Sequence, residues 1–206
     1  KYNREAWQKL LHDIFLNKVQ VYNSTSEVEV NSRLAKSALY IGRISLSDGE
    51  SLGIYEVELA DKVDIERNKR GIRDMLTKDW KDMGHAGAVM FCYRKNESVL
   101  RFSYVSETWG FNKKGDYEKL STNTKRYTYL LGEGRGCRTA IEQFNALKDS
   151  KQSLSDVTAA FSVEALTKQF YKDLFDWYQW AVDPASGVYF PNNTSTEDDD
   201  REDIET

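Results

Sequence analysis

Apolar residues follow helical spacing near the start of the chain and strand-like alternation just after it. Residues 4–17 place apolar side chains three and four positions apart, which predicts an amphipathic helix. Residues 38–46 and 52–59 are rich in β-branched, aromatic and other apolar residues, which predicts a strand in each segment. Asp48-Gly49 between these two segments is a turn signal, so together they predict a β-hairpin.

The rest of the chain adds strands and helices to this hairpin. Residues 64–82 return to helical spacing, and the nearly continuous apolar run 86–94 predicts a strand buried on both faces. The later pattern predicts strands at 98–109 and 125–132, a polar loop at 110–124, and helices at 137–149, 153–160 and 163–182. This order predicts an α+β fold, with a mixed β-sheet flanked by helices and a C-terminal helical extension.

We expect three parts along the chain. Residues 1–135 form the α+β domain, residues 136–182 form a helical extension that packs on it, and residues 183–206 read as an acidic linker toward a further domain. The apolar stripe of the helix 163–182 is broader than one contact requires. Packing on two sides, including a following domain, and a helix set deep in its own domain both explain that stripe.

Charge and cysteine content narrow the class of protein. The net charge is −4, but residues 197–205 hold seven acids and one arginine, so the remainder is slightly positive. This balance argues against non-specific coating of nucleic acid and leaves room for a local basic face. Cys92 and Cys137, the only cysteines, indicate a reducing compartment, and we expect a cytoplasmic location. Without a long apolar run, no membrane partner is expected.

Two glutamates on the second hairpin strand are the strongest candidates for chemistry. Glu56 and Glu58 lie two residues apart, so their side chains point to the same face of the sheet. Such a pair requires a divalent cation, a basic partner or solvent. Asp48 is a candidate third acid, although the hairpin tip lies some 30 Å of strand away from Glu58. Other candidates for the third acid are Asp13, Glu27 and Glu29.

Basic residues follow these acids and are candidates for contact with DNA. The candidates in and beside the helix 64–82 are Arg67, Arg70, Arg73 and Lys78. They could hold a phosphate backbone, but interleaved acids in the same segment also fit an ordinary salt-bridged surface. Arg101 and Arg126 lie beside aromatic residues on later strands. That pattern is typical either of nucleic-acid contact or of long side chains lying along a sheet edge.

The order of helix, hairpin with spaced acids, helix and strand resembles the PD-(D/E)XK nuclease core. In that family an Asp and an E-x-K strand hold Mg²⁺, which polarises the phosphate and activates water. The resemblance implies that Glu56 and Glu58 are catalytic metal ligands and that Asp48 is the candidate Asp. The sequence Glu56-Val57-Glu58 departs from the family pattern by placing a glutamate where the lysine is expected.

A second resemblance covers residues 5 to 182. The blocks IGRISLSDGESLGIYEVEL, IERNKRGIRDML and AFSVEALTKQFYKDLF are similar, in order and spacing, to the N-terminal region of bacterial type IIG-like restriction–modification enzymes. The resemblance implies double-stranded DNA as partner, and an adenine-specific methyltransferase domain with its S-adenosylmethionine site beyond Thr206. It leaves two functions open. One is Mg²⁺-dependent hydrolysis of DNA, and the other is a non-catalytic module that positions DNA or supports the methyltransferase.

Overall fold

The computed structural model describes residues 2–67, 69–111, 115–121 and 127–188. In chain order the elements are α1 (Arg4–Phe15), β1 (Val19–Glu27), β2 (Ala35–Ser45), β3 (Ser51–Leu59), α2 (Lys69–Asp82), β4 (Gly87–Tyr93), β5 (Val99–Phe111), β6 (Tyr117–Ser121), β7 (Thr128–Gly132), α3 (Arg138–Asp149), α4 (Leu154–Phe161) and α5 (Val163–Val182). Short 3₁₀ turns lie at Leu16–Lys18 and Pro184–Ser186.

The strands form one mixed sheet. β1, β2 and β3 make an antiparallel meander, and β4 then lies parallel to β3 after the chain crosses over through α2. β5 is antiparallel to β4 and pairs with both β6 and β7. The predicted α+β class, with a mixed sheet flanked by helices, is therefore confirmed.

Each face of the sheet carries its own hydrophobic cluster. On β3, Leu52 and Ile54 belong to one cluster, and Tyr55 and Val57 belong to the other, as the alternation of a strand requires. Residues of α1, α3 and α4 complete the first cluster. Residues of α2 complete the second. Because helices cover both faces, β3 is buried along almost its whole length.

Local capping explains where the first helix begins and why α2 starts late. The Asn3 side chain accepts a hydrogen bond from the Ala6 amide, so α1 begins at Arg4. The predicted helix over 64–82 does not form at its start, because the Asp64 carboxylate accepts a hydrogen bond from the Glu66 amide and the Asp64 carbonyl accepts one from the Arg67 amide. The chain therefore makes a separate turn there, and α2 begins only at Lys69.

The prediction of a loop over 110–124 is wrong, because the described residues of this range include parts of two strands. β5 continues to Phe111, and β6 pairs back onto it, with Phe111 opposite Tyr117 and Glu107 opposite Ser121. β6 has only five residues and no apolar alternation. A strand this short is fixed by its hydrogen bonds to the neighbouring strand and leaves little signal in its own sequence.

Contacts along the chain divide it into two units, Lys1–Val163 and Glu164–Thr206. The division does not fall at residue 135, because α3 and α4 bury side chains in the core of the first unit. Of the second unit the structure describes α5 and the turn that follows, so the expected acidic linker lies outside the described residues from 189 onward. Among the described helices none is long and apolar enough to span a membrane.

Candidate functional site

Glu56 and Glu58 lie on β3 and share one face of the sheet, as their spacing predicted, but the strand is buried. Glu56 is 3% exposed and Glu58 is 9% exposed, and both point to the face that α1 covers. A carboxylate at such a position must be paired or hydrogen-bonded to remain ionised. The groups that surround the two carboxylates therefore decide what this site can do.

Arg4, in the first turn of α1, neutralises Glu56. Its Nε donates to Oε2 at 2.7 Å and its Nη2 donates to Oε1 at 2.9 Å, which is a bidentate pair. The Tyr93 hydroxyl also donates to Oε1, at 3.3 Å. The hydrogen bonds to Glu56 raise the pKa of Arg4. Both oxygens of Glu56 are thus engaged by groups of the protein itself.

Two tyrosines enclose this ion pair. The rings of Tyr2 and Tyr93 stack with centroids 3.6 Å apart, and the Trp7 indole N–H donates to the Tyr2 hydroxyl. Burial first, and the nearby Glu56 charge second, raise the pKa of Tyr93 to about 12. The same two causes raise the pKa of Tyr2. Both phenols therefore stay protonated at neutral pH, so neither adds negative charge for a cation.

Glu58 is balanced by two lysines instead. Lys36 Nζ lies 3.8 Å from one carboxylate oxygen and Lys95 Nζ lies 3.7 Å from the other, while Lys36 also pairs with Asp61 at 2.6 Å. These groups line a cleft of about 280 Å³ at the end of β3. The cleft lining also includes Arg94 and Glu97, so acids and bases are equal in number there. It offers no excess of negative charge to a metal ion.

Asp48 does not join this pair, which corrects its assignment as a catalytic residue. It lies in the hairpin turn, where its carboxylate accepts hydrogen bonds from the Glu50 and Leu154 amides. β2 and β3 begin pairing at Ser45 and Ser51, and Glu56 lies five residues further along β3. That separation amounts to about 17 Å of strand, too far for a shared ion.

None of the alternative acids supplies a third ligand within the described ranges. Glu27 lies opposite Leu39, which lies opposite Glu56, so two strand spacings, about 10 Å, separate the two glutamates. Glu29 lines a different cavity, beside α2. The part of the chain that the structure describes holds no group of three acid, histidine or cysteine side chains able to bind a metal. Glu56 and Glu58, as placed, do not fit a Mg²⁺ centre.

The basic residues predicted to contact DNA have different environments. The side chains of Arg67 and Arg70 are more than four-fifths exposed, and each has one loose acidic neighbour, Asp64 at 3.6 Å and Asp74 at 3.8 Å. Arg73 is 13% exposed and bonds tightly to Asp74, at 2.6 Å. Only the first two present their guanidinium groups openly to a partner.

The other two candidates add nothing to an open basic face. Lys78 lines a cavity of about 440 Å³ whose charged lining is otherwise acidic, with Glu29, Asp79 and Asp82. Arg126 lies outside the described residues.

Arg101 is a structural residue that the sequence did not identify as such. It is 1% exposed, so neither nucleic-acid contact nor a sheet-edge position describes it. Its Nη1 donates to the carbonyls of Ile65 and Arg67, each at 2.8 Å, and its Nη2 donates to Cys92 Sγ at 3.4 Å. The buried guanidinium thus fixes the turn that carries Arg67.

Comparison with models of known protein families finds no match, and comparison with curated proteins finds none either.

Proposed function

We propose that this chain is a nuclease-like, non-catalytic module of a DNA restriction–modification protein, and that it holds double-stranded DNA for a following methyltransferase domain. The bidentate ion pair of Arg4 and Glu56 supports the proposal that the module is not catalytic. The guanidinium occupies the side of the carboxylate where a catalytic cation would have to bind. On this proposal, S-adenosylmethionine binds only in the methyltransferase domain.

The order of elements supports a nuclease-like core. α1, the hairpin of β2 and β3, α2 and the strand β4 follow one another in the order that the sequence resemblance to the nuclease family implies. The spaced glutamates lie on β3, the strand that carries the acids in that family. Only the ligand set departs from the pattern, because basic residues and tyrosines surround the glutamates.

A rigid basic turn at the start of α2 supports the DNA-holding role. Arg101 fixes the carbonyls of Ile65 and Arg67, and Arg135 pairs with Glu66 in the same turn. The exposed guanidinium groups of Arg67 and Arg70 therefore project from a fixed backbone. Phosphate contacts from such groups position a duplex without reading its sequence.

Salt-dependent binding of a short DNA duplex, measured by fluorescence anisotropy, tests this role. Each phosphate contact contributes about one unit to the slope of log affinity against log salt. We expect the double variant Arg67→Ala/Arg70→Ala to reduce that slope by about two and to weaken binding at low salt. Arg138→Ala is the control, because Arg138 is also more than four-fifths exposed and pairs with one acid, Glu142, on α3. Equal binding by the double variant and the control would contradict the proposal.

A plasmid-cleavage assay on the same samples tests the proposal that the chain does not cut DNA. Supercoiled plasmid incubated with Mg²⁺ or Mn²⁺ should stay intact with the unmodified chain and with Glu56→Gln alike. Metal-dependent nicking that disappears in Glu56→Gln would restore the cleavage function and overturn this part, whatever the anisotropy shows.

A further inference from the structure

The described part of α5 exposes an apolar surface much larger than isolated surface residues account for. Six large apolar side chains between residues 170 and 180 are each 45–63% exposed: Phe170, Tyr171, Leu174, Phe175, Trp177 and Trp180. Solvent-exposed apolar patches of this kind mark sites of association. Trp and Tyr are also the residues most enriched among those that dominate binding energy at protein interfaces.

The spacing of these residues fits a helical partner. Phe170, Leu174 and Trp177 follow one another at intervals of four and three, which is the seam along which two helices interlock. Tyr171 flanks that seam on one side and Trp180 flanks it on the other, whereas Phe175 lies nearer the polar side. The polar residues Lys172, Asp176 and Gln179 share the opposite side of the helix.

The charges favour a protein over a membrane surface as the occupant. Helices that lie on membranes carry lysine or arginine along the polar face, which anionic lipids attract. Between residues 170 and 182, α5 has one basic residue, Lys172, and two acids, Asp173 and Asp176. That balance gives no electrostatic attraction to lipid headgroups.

The exposed area matches what two copies of this chain require. An aromatic side chain buries about 150–250 Å² when fully covered, so the five half-exposed large side chains other than Phe175 leave roughly 500 Å² on each copy. Two copies joined face to face would then cover about 1,000 Å², which is about the smallest area that a specific interface buries. A self-complementary seam also suits the two-fold arrangement that most homodimers adopt.

We infer that the chain self-associates in solution through the Phe170–Leu174–Trp177 seam of α5, with the same seam of a second copy as its occupant. Interfaces of this size are typical of weak, transient contacts rather than of obligate dimers, and we expect a dissociation constant in the micromolar range. This inference does not depend on the DNA-holding proposal, because it uses none of the same residues.

Sedimentation velocity across a concentration series of the whole chain tests the inference. The unmodified chain should shift from monomer to dimer in the micromolar range, and Leu174→Lys should weaken that association at least about tenfold, because it places a charge at the centre of the seam. Gln179→Lys adds the same charge on the polar side of the helix and should leave the equilibrium unchanged. Both variants should keep the thermal midpoint of the first unit, Lys1–Val163.

Two results would overturn the inference. One is a chain that stays monomeric at every concentration, which would assign the aromatic surface to a partner outside this chain. The other is a dimer that Leu174→Lys and Gln179→Lys affect equally. Co-sedimentation of the monomeric chain with anionic vesicles, lost in Leu174→Lys, would identify a membrane as the occupant and overturn the inference as well.

Discussion

Arg4 gives Glu56 a counter-ion from within the protein, and this pairing changes what the carboxylate can do. An ionised carboxylate on a buried strand would otherwise need a metal ion or solvent. The guanidinium satisfies both oxygens at once, while its own side chain is still 45% exposed at the start of α1. The pair is therefore a structural contact between α1 and β3.

Replacing Arg4 should destabilise the protein through Glu56. Loss of one partner of a buried pair costs about 3–5 kcal/mol, and partial exposure of Arg4 reduces the expected loss for Arg4→Met to about 2 kcal/mol. Urea denaturation of Arg4→Met, Glu56→Gln and the double variant measures the coupling. The double variant should be more stable than the sum of the two single losses indicates, and strictly additive losses would argue against a coupled pair.

At the scale of residues, the sequence predicts the environment of a side chain only when its partners lie close to it along the chain. Alternation alone predicted that Glu56 and Glu58 share a face of the sheet, because this follows from local strand geometry. Arg4 lies 52 residues before Glu56, and nothing local to α1 indicates that its guanidinium reaches β3. Arg101 was misread for the same reason, since its acceptors lie on a distant turn.

At the scale of elements, the turn between β3 and α2 is held by one buried cation. Arg101 lies on β5, and its guanidinium reaches the carbonyls of Ile65 and Arg67 ahead of α2. Among the described residues, the hydrogen-bond acceptors of the Arg101 guanidinium are these two backbone carbonyls and the Cys92 thiol. This contact explains why residues 64–67 form a turn instead of the predicted first turn of α2.

Removal of this cation should loosen the turn and destabilise the fold. Arg101→Met would leave two carbonyls without their donor, at about 1–3 kcal/mol each, so we expect a loss of about 3 kcal/mol. The Arg67 amide, which donates to the Asp64 carbonyl, should also exchange its hydrogen faster. Arg135→Ala removes only the exposed pair with Glu66 and should cost less than about 1 kcal/mol. Unchanged exchange at Arg67 in Arg101→Met would contradict this account.

At the scale of the whole molecule, buried phenols are distributed through the core. Burial is the largest cause of a raised pKa in six tyrosines: Tyr2, Tyr40, Tyr55, Tyr93, Tyr104 and Tyr129. For Tyr93 and Tyr129 the raised pKa is about 12, against an ordinary value of 10.0. These groups stay protonated in the folded protein at a pH where the unfolded chain ionises.

The protein should therefore lose stability in alkali over a defined range. Because the pKa is raised on folding, the stabilisation is complete below pH 10 and declines as pH rises from about 10 toward 12. Denaturation at several pH values, followed with phenolate absorbance, measures this decline. Tyr129→Phe removes one contributor and should flatten the decline, although it also removes the hydrogen bond to the Ala160 carbonyl. An equally steep decline in that variant would contradict the assignment.

The hydrophobic pattern of the sequence predicts where the C-terminal helices lie but not what covers them. The predicted helices at 137–149, 153–160 and 163–182 agree closely with α3, α4 and α5, because each has a strong 3.6-residue period. The period does not say what covers an apolar stripe. The apolar stripes of α3 and α4 are buried within the first unit, whereas α5 leaves Phe170 and Trp177 exposed. The sequence therefore could not decide whether the helix 163–182 packs on two sides or lies deep in its own domain.

The charged pair on β3 also restricts how the sheet can assemble. If β3 slipped by one residue against β2 and β4, Glu56 and Glu58 would turn toward the apolar cluster of Val57 and Leu76, away from Arg4 and the lysines. Two uncompensated charges would then enter a hydrocarbon environment, a heavy penalty for any misaligned sheet. The two carboxylates would thus select a single alignment of the central strands.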